Sequence, residues 1–357
     1  MGKIFSRIAI CVIWAVMIFS GLRISTNSSL FNDDKNTLHL FTWPEQFQYD
    51  AIYEFEELTG IKVVVHSYET NEELIAKMNK TKGKGYDIIA PSDYAVKILA
   101  KNDLLKKIDK SKIDFFNELD PFLLNRNFDP DNEYSLPFDW EVFGFGINRQ
   151  FNDIPQDQVS WDLIFNTDLV DYKIAMSNDP IEAISFASFY LYGKKESLSP
   201  QEYTELSSLL VDQKNWVEAY AAIRGDYLLV TKNCQVALSP SAFILKAMKD
   251  HPDIDFVLPN EGTFLTIENV SIPKASDKDE LAYTFLNFIY QKEKFIENTD
   301  YFLTFPARLD VLEDTEVTDA YKRILAETRK DRSKVHNVDF IMPEASARQL
   351  WVKVKSS

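Results

Sequence analysis

Cysteine is nearly absent from this chain. Its 357 residues include two, Cys11 and Cys234. Cys11 falls in a segment read below as a targeting signal, which leaves Cys234 without an internal disulfide partner. Glycine (10) and proline (14) are also scarce, which excludes collagen-like and low-complexity chains. Basic residues are outnumbered: 39 Lys and Arg against 55 Asp and Glu give a formal charge of −16. That excludes nucleic acid as the main partner, because phosphate binding needs a basic face. The four histidines, His39, His66, His251 and His336, show no zinc-type spacing. Gly83-Lys84-Gly85 lacks the flanking pattern of a P-loop or dinucleotide fingerprint, and no G-x-S-x-G occurs. The carboxylates Asp179 and Glu182 are close enough in sequence for acid/base work in principle. No catalytic residue, metal site or cofactor is expected.

What is present begins with an address. Lys3 and Arg7 precede an apolar run over residues 8–19, IAICVIWAVMIF. Charge followed by a short apolar stretch is the pattern of an export signal, and the run falls short of the roughly 20 residues of a membrane span. No small-x-small cleavage triplet follows, so residues 1–24 read as a signal peptide or an uncleaved anchor. The myristoylation-like start at Met1-Gly2 is disfavoured by the apolar run beside it, and lipid attachment at Cys11 by Ile10 where a small residue is expected and by too little apolar sequence upstream. Residues 25–36, STNSSLFNDDKN, read as a polar linker.

From Thr37 onward strand-like and helix-like segments alternate. LHLF at 38–41 reads as a strand. Residues 49–58 have helical spacing, with Ile52, Phe55 and Leu58 on one face and Gly60 as a stop. KVVVHSY is strand-like, Thr70-Asn71-Glu72-Glu73 is a capping box that opens a helix, and YDIIAPS is a buried strand followed by a helix. Strands recur at 141–148, 172–177, 235–239, 255–259 and 265–273. Helices recur at 180–192, 200–210, 278–290 and 317–328. This alternation predicts an α/β fold with mostly parallel sheets flanked by helices, arranged as two lobes facing a cleft. Ligands of such sheets bind beyond the carboxyl ends of strands, which directs attention to the chain after Phe41, Ala90 and Met176.

Those places hold Trp43, Pro44, Glu45 and Gln46; Ser92, Asp93 and Tyr94; and Asp179, Pro180 and Glu182. Glu268 stands in a later apolar strand, where a carboxylate must find a partner or water. The set is an indole, a phenol, a hydroxyl and several acids, with no base. It suits a flexible cation, since carboxylates pair with ammonium groups and aromatic faces hold charge and methylenes. Asp179-Pro180-Ile181-Glu182 also fits a helix start, with Asp as N-cap and Pro at the first helical position. One oxygen can cap a helix while the other faces a ligand.

At these residues the chain resembles the spermidine/putrescine-binding proteins of bacterial polyamine ABC transporters. The stretches LFTWPEQF, FEELTGIKVVVHSYETNEELIAKM, GYDIIAPSDYAV, LDPFLLNRNFDPDNEYSLPFDWEVFGFGIN, SWDLIF, IDFVLPNEG and ENVSIP carry the resemblance, in family order, from about residue 37 to 273. It implies a two-lobed periplasmic-binding-protein fold of type II, closing by a hinge. Residues 37–143 and 266–312 would form lobe 1, and residues 144–265 and 313–357 lobe 2. It implies ligand-binding roles for Trp43, Ser92, Tyr94, Asp179, Glu182 and Glu268, the last an aspartate in the family pattern. There are departures: Gln46 replaces a tyrosine, Thr266 replaces a tryptophan, a tryptophan near residues 236–241 is missing, and Phe302 stands for a tyrosine. The function implied is a periplasmic, monomeric protein that captures putrescine or spermidine for an inner-membrane ABC permease. A same-fold binder of another cationic or amino-acid-like solute, or a surface protein that has lost polyamine binding, remains open.

Overall fold

The computed structural model describes residues 35–151, 154–166, 168–221 and 225–357. The signal or anchor at residues 1–24, Cys11 and most of the linker at 25–36 lie outside them. Among the described residues no helix is long and apolar enough to cross a membrane.

The chain opens with β1 (Thr37–Thr42), α1 (Tyr49–Thr59), β2 (Lys62–Ser67), α2 (Asn71–Thr81), β3 (Ile88–Ile89) and α3 (Asp93–Lys101). These strands form a three-stranded sheet in the order β2-β1-β3, with β1 and β3 parallel. Ile52 and Phe55 of α1 are buried as expected, but Leu58 is 69% exposed. It lies in the last turn, just before the left-handed cap at Gly60, and two steps of three residues turn it well away from Ile52 around the helix. At α2, Thr70 accepts from the Glu73 backbone, while the Glu73 carboxylate reaches Glu69 N–H instead of Thr70 N–H. The capping box is thus half formed. The strand expected over YDIIAPS is regular only at Ile88–Ile89, with an isolated antiparallel bridge from Ser92 to Glu268 beyond it.

A long strand, β4 (Leu136–Asn148), then crosses the molecule. The second α/β unit follows: α4 (Asp162–Phe165), β5 (Ile174–Met176), α5 (Pro180–Tyr192), α6 (Pro200–Gln213), β6 (Val217–Tyr220), α7 (Gly225–Val230), β7 (Val236–Pro240), α8 (Ser241–Asp250) and β8 (Ile254–Val257). The chain returns through β9 (Thr263–Val270), α9 (Asp279–Ile289), α10 (Lys292–Phe302) and β10 (Phe305–Pro306). It ends with α11 (Asp319–Lys330), β11 (Val335–Asn337) and α12 (Glu344–Ser356).

The two ends of β4 belong to different surroundings. Leu136–Val142 pair with β9 and Phe305–Pro306 pair beside them, whereas Phe143–Asn148 pair with β7 and β8. All these ladders are antiparallel, while β5 is parallel to both β6 and β7. The sheets are mixed, and β4 runs through both sets of ladders. Close approach of β4 to β8 requires glycine: a Cβ on Gly144 would meet the Val257 carbonyl oxygen at 2.8 Å and Phe256 Cζ at 2.5 Å. Segments near the C-terminus touch both lobes. Arg329 binds Asp120, β11 pairs with the start of β9, and Trp351 stacks edge-on to Tyr220.

Candidate functional site

Three strand ends converge. Trp43 follows β1 directly, Ser92 is the N-cap of α3, and Asp179 is the N-cap of α5. Glu45 adopts a left-handed backbone (φ 60°). The turn it makes folds the first loop back on itself, where Thr42 donates to Gln46 Oε1 at 2.8 Å.

Glu268 forms the first half of the site. The Trp43 indole N–H donates to its Oε2 at 2.7 Å, Ser92 Oγ lies 2.8 Å from both carboxylate oxygens, and Thr266 Oγ1 donates to Oε1 at 2.9 Å. Ser92 therefore forgoes the usual bond to its own helix, because its hydroxyl is turned onto the acid. Trp43 packs at 4.7 Å between ring centroids on Tyr68, a buried tyrosine that donates to Ala90 C=O. Burial pushes the Glu268 carboxyl up to about 7, against the opposing pull of its three donors.

Asp179 and Glu182 form the second half. Asp179 Oδ1 caps α5, accepting from Ile181 and Glu182 N–H at 2.7 and 3.1 Å, and Oδ2 accepts from Tyr94 OH at 2.7 Å. The sequence motif thus caps its helix with one oxygen and offers the other to Tyr94 of α3. Ser177 donates to Glu182 and also accepts from Asp179 N–H. Behind this loop, Trp351 Nε1 donates to Asn178 C=O at 3.1 Å, holding the turn in place. Burial raises both acids, and the Asp179 charge raises Glu182 further.

The two halves feel each other: the charges of Asp179, Glu72 and Glu268 all act on Glu182. The sequence marks Glu72 only as part of a capping box. Here it stands 3.5 Å from Tyr94 OH, pushed to about 7 by burial and then by Asp179. Asp139 and Glu141 of β4 join from the other side, both raised by burial and by Glu268. Sequence reasoning passed over these three, and alternation in β4 was the one signal that could have flagged the latter two. Among the described residues, no lysine, arginine or histidine lies within ion-pair distance of Glu72, Asp139, Glu141, Asp179, Glu182 or Glu268.

The remaining predicted residues lie differently. Gln46 is buried, and its side-chain amide nitrogen has no hydrogen-bond partner. Thr266 binds Glu268 as described. Phe302 is buried on α10 beside Tyr301, with the Lys246 ammonium of α8 6.0 Å from its ring centroid. Lys246 lies 5.3 Å from the Tyr301 centroid and 3.9 Å from Glu45. At this edge a protein cation, and not an empty space, faces the aromatic ring.

A group of buried carboxylates without ion-paired bases can neutralise and desolvate a cation. Residues 50–324 match the model of the family described as bacterial extracellular solute-binding protein. The chain is similar to the spermidine/putrescine-binding periplasmic protein of Escherichia coli, 31% identical over 277 residues, covering 74% of this chain and 76% of that protein. It is also similar to a putrescine-binding periplasmic protein of Pseudomonas aeruginosa, 30% identical over 285 residues, covering 75% of this chain and 77% of that one. Among solved structures, a putative spermidine/putrescine ABC transporter protein from Listeria monocytogenes superposes with a TM-score of 0.79 at 25% identity, covering 90% of this chain and 99% of that one. These relatives are binding and transport proteins, and the fold is the two-lobed α/β type of periplasmic binding proteins. The chain belongs to the bacterial extracellular solute-binding protein family.

Proposed function

We propose that this protein captures a polyamine, putrescine or spermidine, outside the cytoplasm and hands it to an ABC permease in the membrane, reaching its compartment through the N-terminal segment as a signal or anchor. The observation that carries this reading is the gathering of Glu268, Asp179, Glu182 and Glu72 close enough to act on one another, with no protein cation among the described residues in ion-pair contact with any of them. Trp43, Ser92 and Tyr94 supply the surrounding indole, hydroxyl and phenol. Capture proceeds by ion pairing of the acids with ammonium groups, with methylenes against the aromatic faces; each cation–π contact contributes ~0.5–2 kcal/mol. Closure of the lobes removes water and strengthens those pairs. Release requires the permease to favour the open form.

Calorimetric titration with putrescine, spermidine, spermine, cationic amino acids and neutral sugars tests it. Heat with at least one polyamine is expected; binding of an anion or neutral solute with no polyamine signal would reject it. The polar Gln46 and Thr266, standing where the family pattern has aromatics, favour one second reading: a cationic amino-acid-like solute, which the same titration would reveal.

A further inference from the structure

Beside Glu268 the sheet carries an acid that the reading above leaves unused. Asp139 stands directly opposite Glu268 in the β4–β9 ladder, and Glu141 opposite Thr266. Strand alternation therefore sets Asp139, Glu141, Thr266 and Glu268 on one face, while Trp140 and Ile267 point into the core, both fully buried. The irregularity between Pro137 and Asp139 marks the place where β4 is re-aimed.

The two acids of β4 differ in their partners. Glu141 Oε2 accepts from Ala242 N–H at 2.8 Å, at the start of α8, whose N-cap Pro240 has no side-chain acceptor to offer. Glu141 thus has a structural duty. Asp139 is 4% exposed, and its Oδ1 meets no donor. A buried carboxylate oxygen without a donor is unfavourable, and like charges directly opposite in a ladder add to that. A cation placed between Asp139 and Glu268 removes both penalties. Glu268 already accepts from three neutral donors, which orient it without cancelling its charge. Asp139 Oδ1 contributes the free lone pairs that an ammonium group, with its three N–H bonds, requires.

We propose that Asp139 joins Glu268 in seating one ammonium group of the solute. This rests on the cation-binding reading and adds one residue to its site.

The test is titration of the full chain with putrescine, comparing wild type with Asp139→Asn, Glu268→Gln and the double variant, alongside melting of each protein without ligand. Asp139→Asn should weaken putrescine binding by about tenfold or more and leave the ligand-free melting temperature equal or higher, because a repulsion is relieved. The losses in the double variant should fall short of the product of the single losses by about threefold or more, since both acids act on one group. Wild-type affinity in Asp139→Asn, or a lower melting temperature without loss of affinity, overturns the proposal. Should the variants fail to fold, crystals of the wild type with putrescine decide: an amine nitrogen within hydrogen-bond reach of Asp139 supports it, and one on Glu268 alone refutes it. If the wild type binds no amine at all, the cation reading itself fails, which is distinct from a failure at Asp139.

Discussion

Asp120 and Asp139 are both buried aspartates, 1% and 4% exposed, and their surroundings are opposite. Asp120 holds Arg329 at 2.6 and 3.3 Å through both oxygens and accepts from Phe122 N–H at 2.9 Å. Asp129, a third buried aspartate, accepts from three successive backbone N–H groups, of Glu133, Tyr134 and Ser135, and from the Ser135 hydroxyl. Asp139 has an unpartnered oxygen and a carboxylate neighbour. Acids that hold the fold together are matched internally; those around the cleft are left short of positive charge. The difference marks which acids await something from outside, since an unmatched buried carboxylate works against stability on its own.

The largest effect on stability should come from the matched side. Arg329→Met leaves Asp120 uncompensated and should lower the free energy of unfolding in urea by about 3 kcal/mol, with polyamine affinity within about twofold of wild type. Affinity loss as large as the stability loss would blur the division between the two groups of acids.

On the unmatched side the order reverses. Glu268→Gln should weaken polyamine binding by more than about tenfold, or ~1.4 kcal/mol, while leaving ligand-free stability undiminished. Unchanged affinity in calorimetry would move Glu268 out of the site.

The pH dependence sharpens the same contrast. Glu72 and Glu268 titrate near 7 in the folded protein against an ordinary 4.5. Between those values the folded state keeps protons that the unfolded state has lost. Stability of the ligand-free protein therefore falls as pH rises from about 4.5 to 7 and levels off above. Melting should occur at a higher temperature at pH 5 than at pH 8. Cation binding runs the other way: it favours ionised acids, so affinity should rise about tenfold from pH 5.5 to 8. Proton release should appear as buffer-dependent heat. A flat affinity profile would show the acids to be ionised already.

Smaller effects follow at the lobe contacts. Tyr94→Phe removes the bond to Asp179 and should reduce affinity by about fivefold, near ~1 kcal/mol, read in the same titration. Lys246→Ala breaks a half-exposed pair with Glu45 and should change melting or affinity by less than about 0.5 kcal/mol. A larger gain in affinity on this change would show that Lys246 competes with the solute.

Much of the fold was legible because its signals are local. Asp179-Pro180 opens a helix through a cap that spans three residues, and Gly60 ends one by its positive φ. The strand ends after Phe41, Ala90 and Met176 could be found from the run of apolar residues and the loop residues that follow. Other features were not legible. Leu58 is exposed although it follows Ile52 and Phe55 at helical spacing. His39 and His66, scattered in sequence, stack with ring nitrogens 3.2 Å apart, because β1 and β2 are adjacent. Glu72 looks like a helix-start residue, and only the approach of Asp179, more than 100 positions on, makes it part of the acid group.

The amino-acid sequence by itself determined the chemistry on offer: acids in excess, aromatics beside strand ends, a leader-like N-terminus, and an alternating α/β pattern. These follow from residue type and spacings of a few positions, which act on the backbone directly. Tertiary structure alone decided which acids share one space, bringing Ser92 to Glu268 across 176 positions and Tyr94 to Asp179 across 85. Charges interact through distance and the surrounding dielectric, and neither is a property of neighbours along the chain.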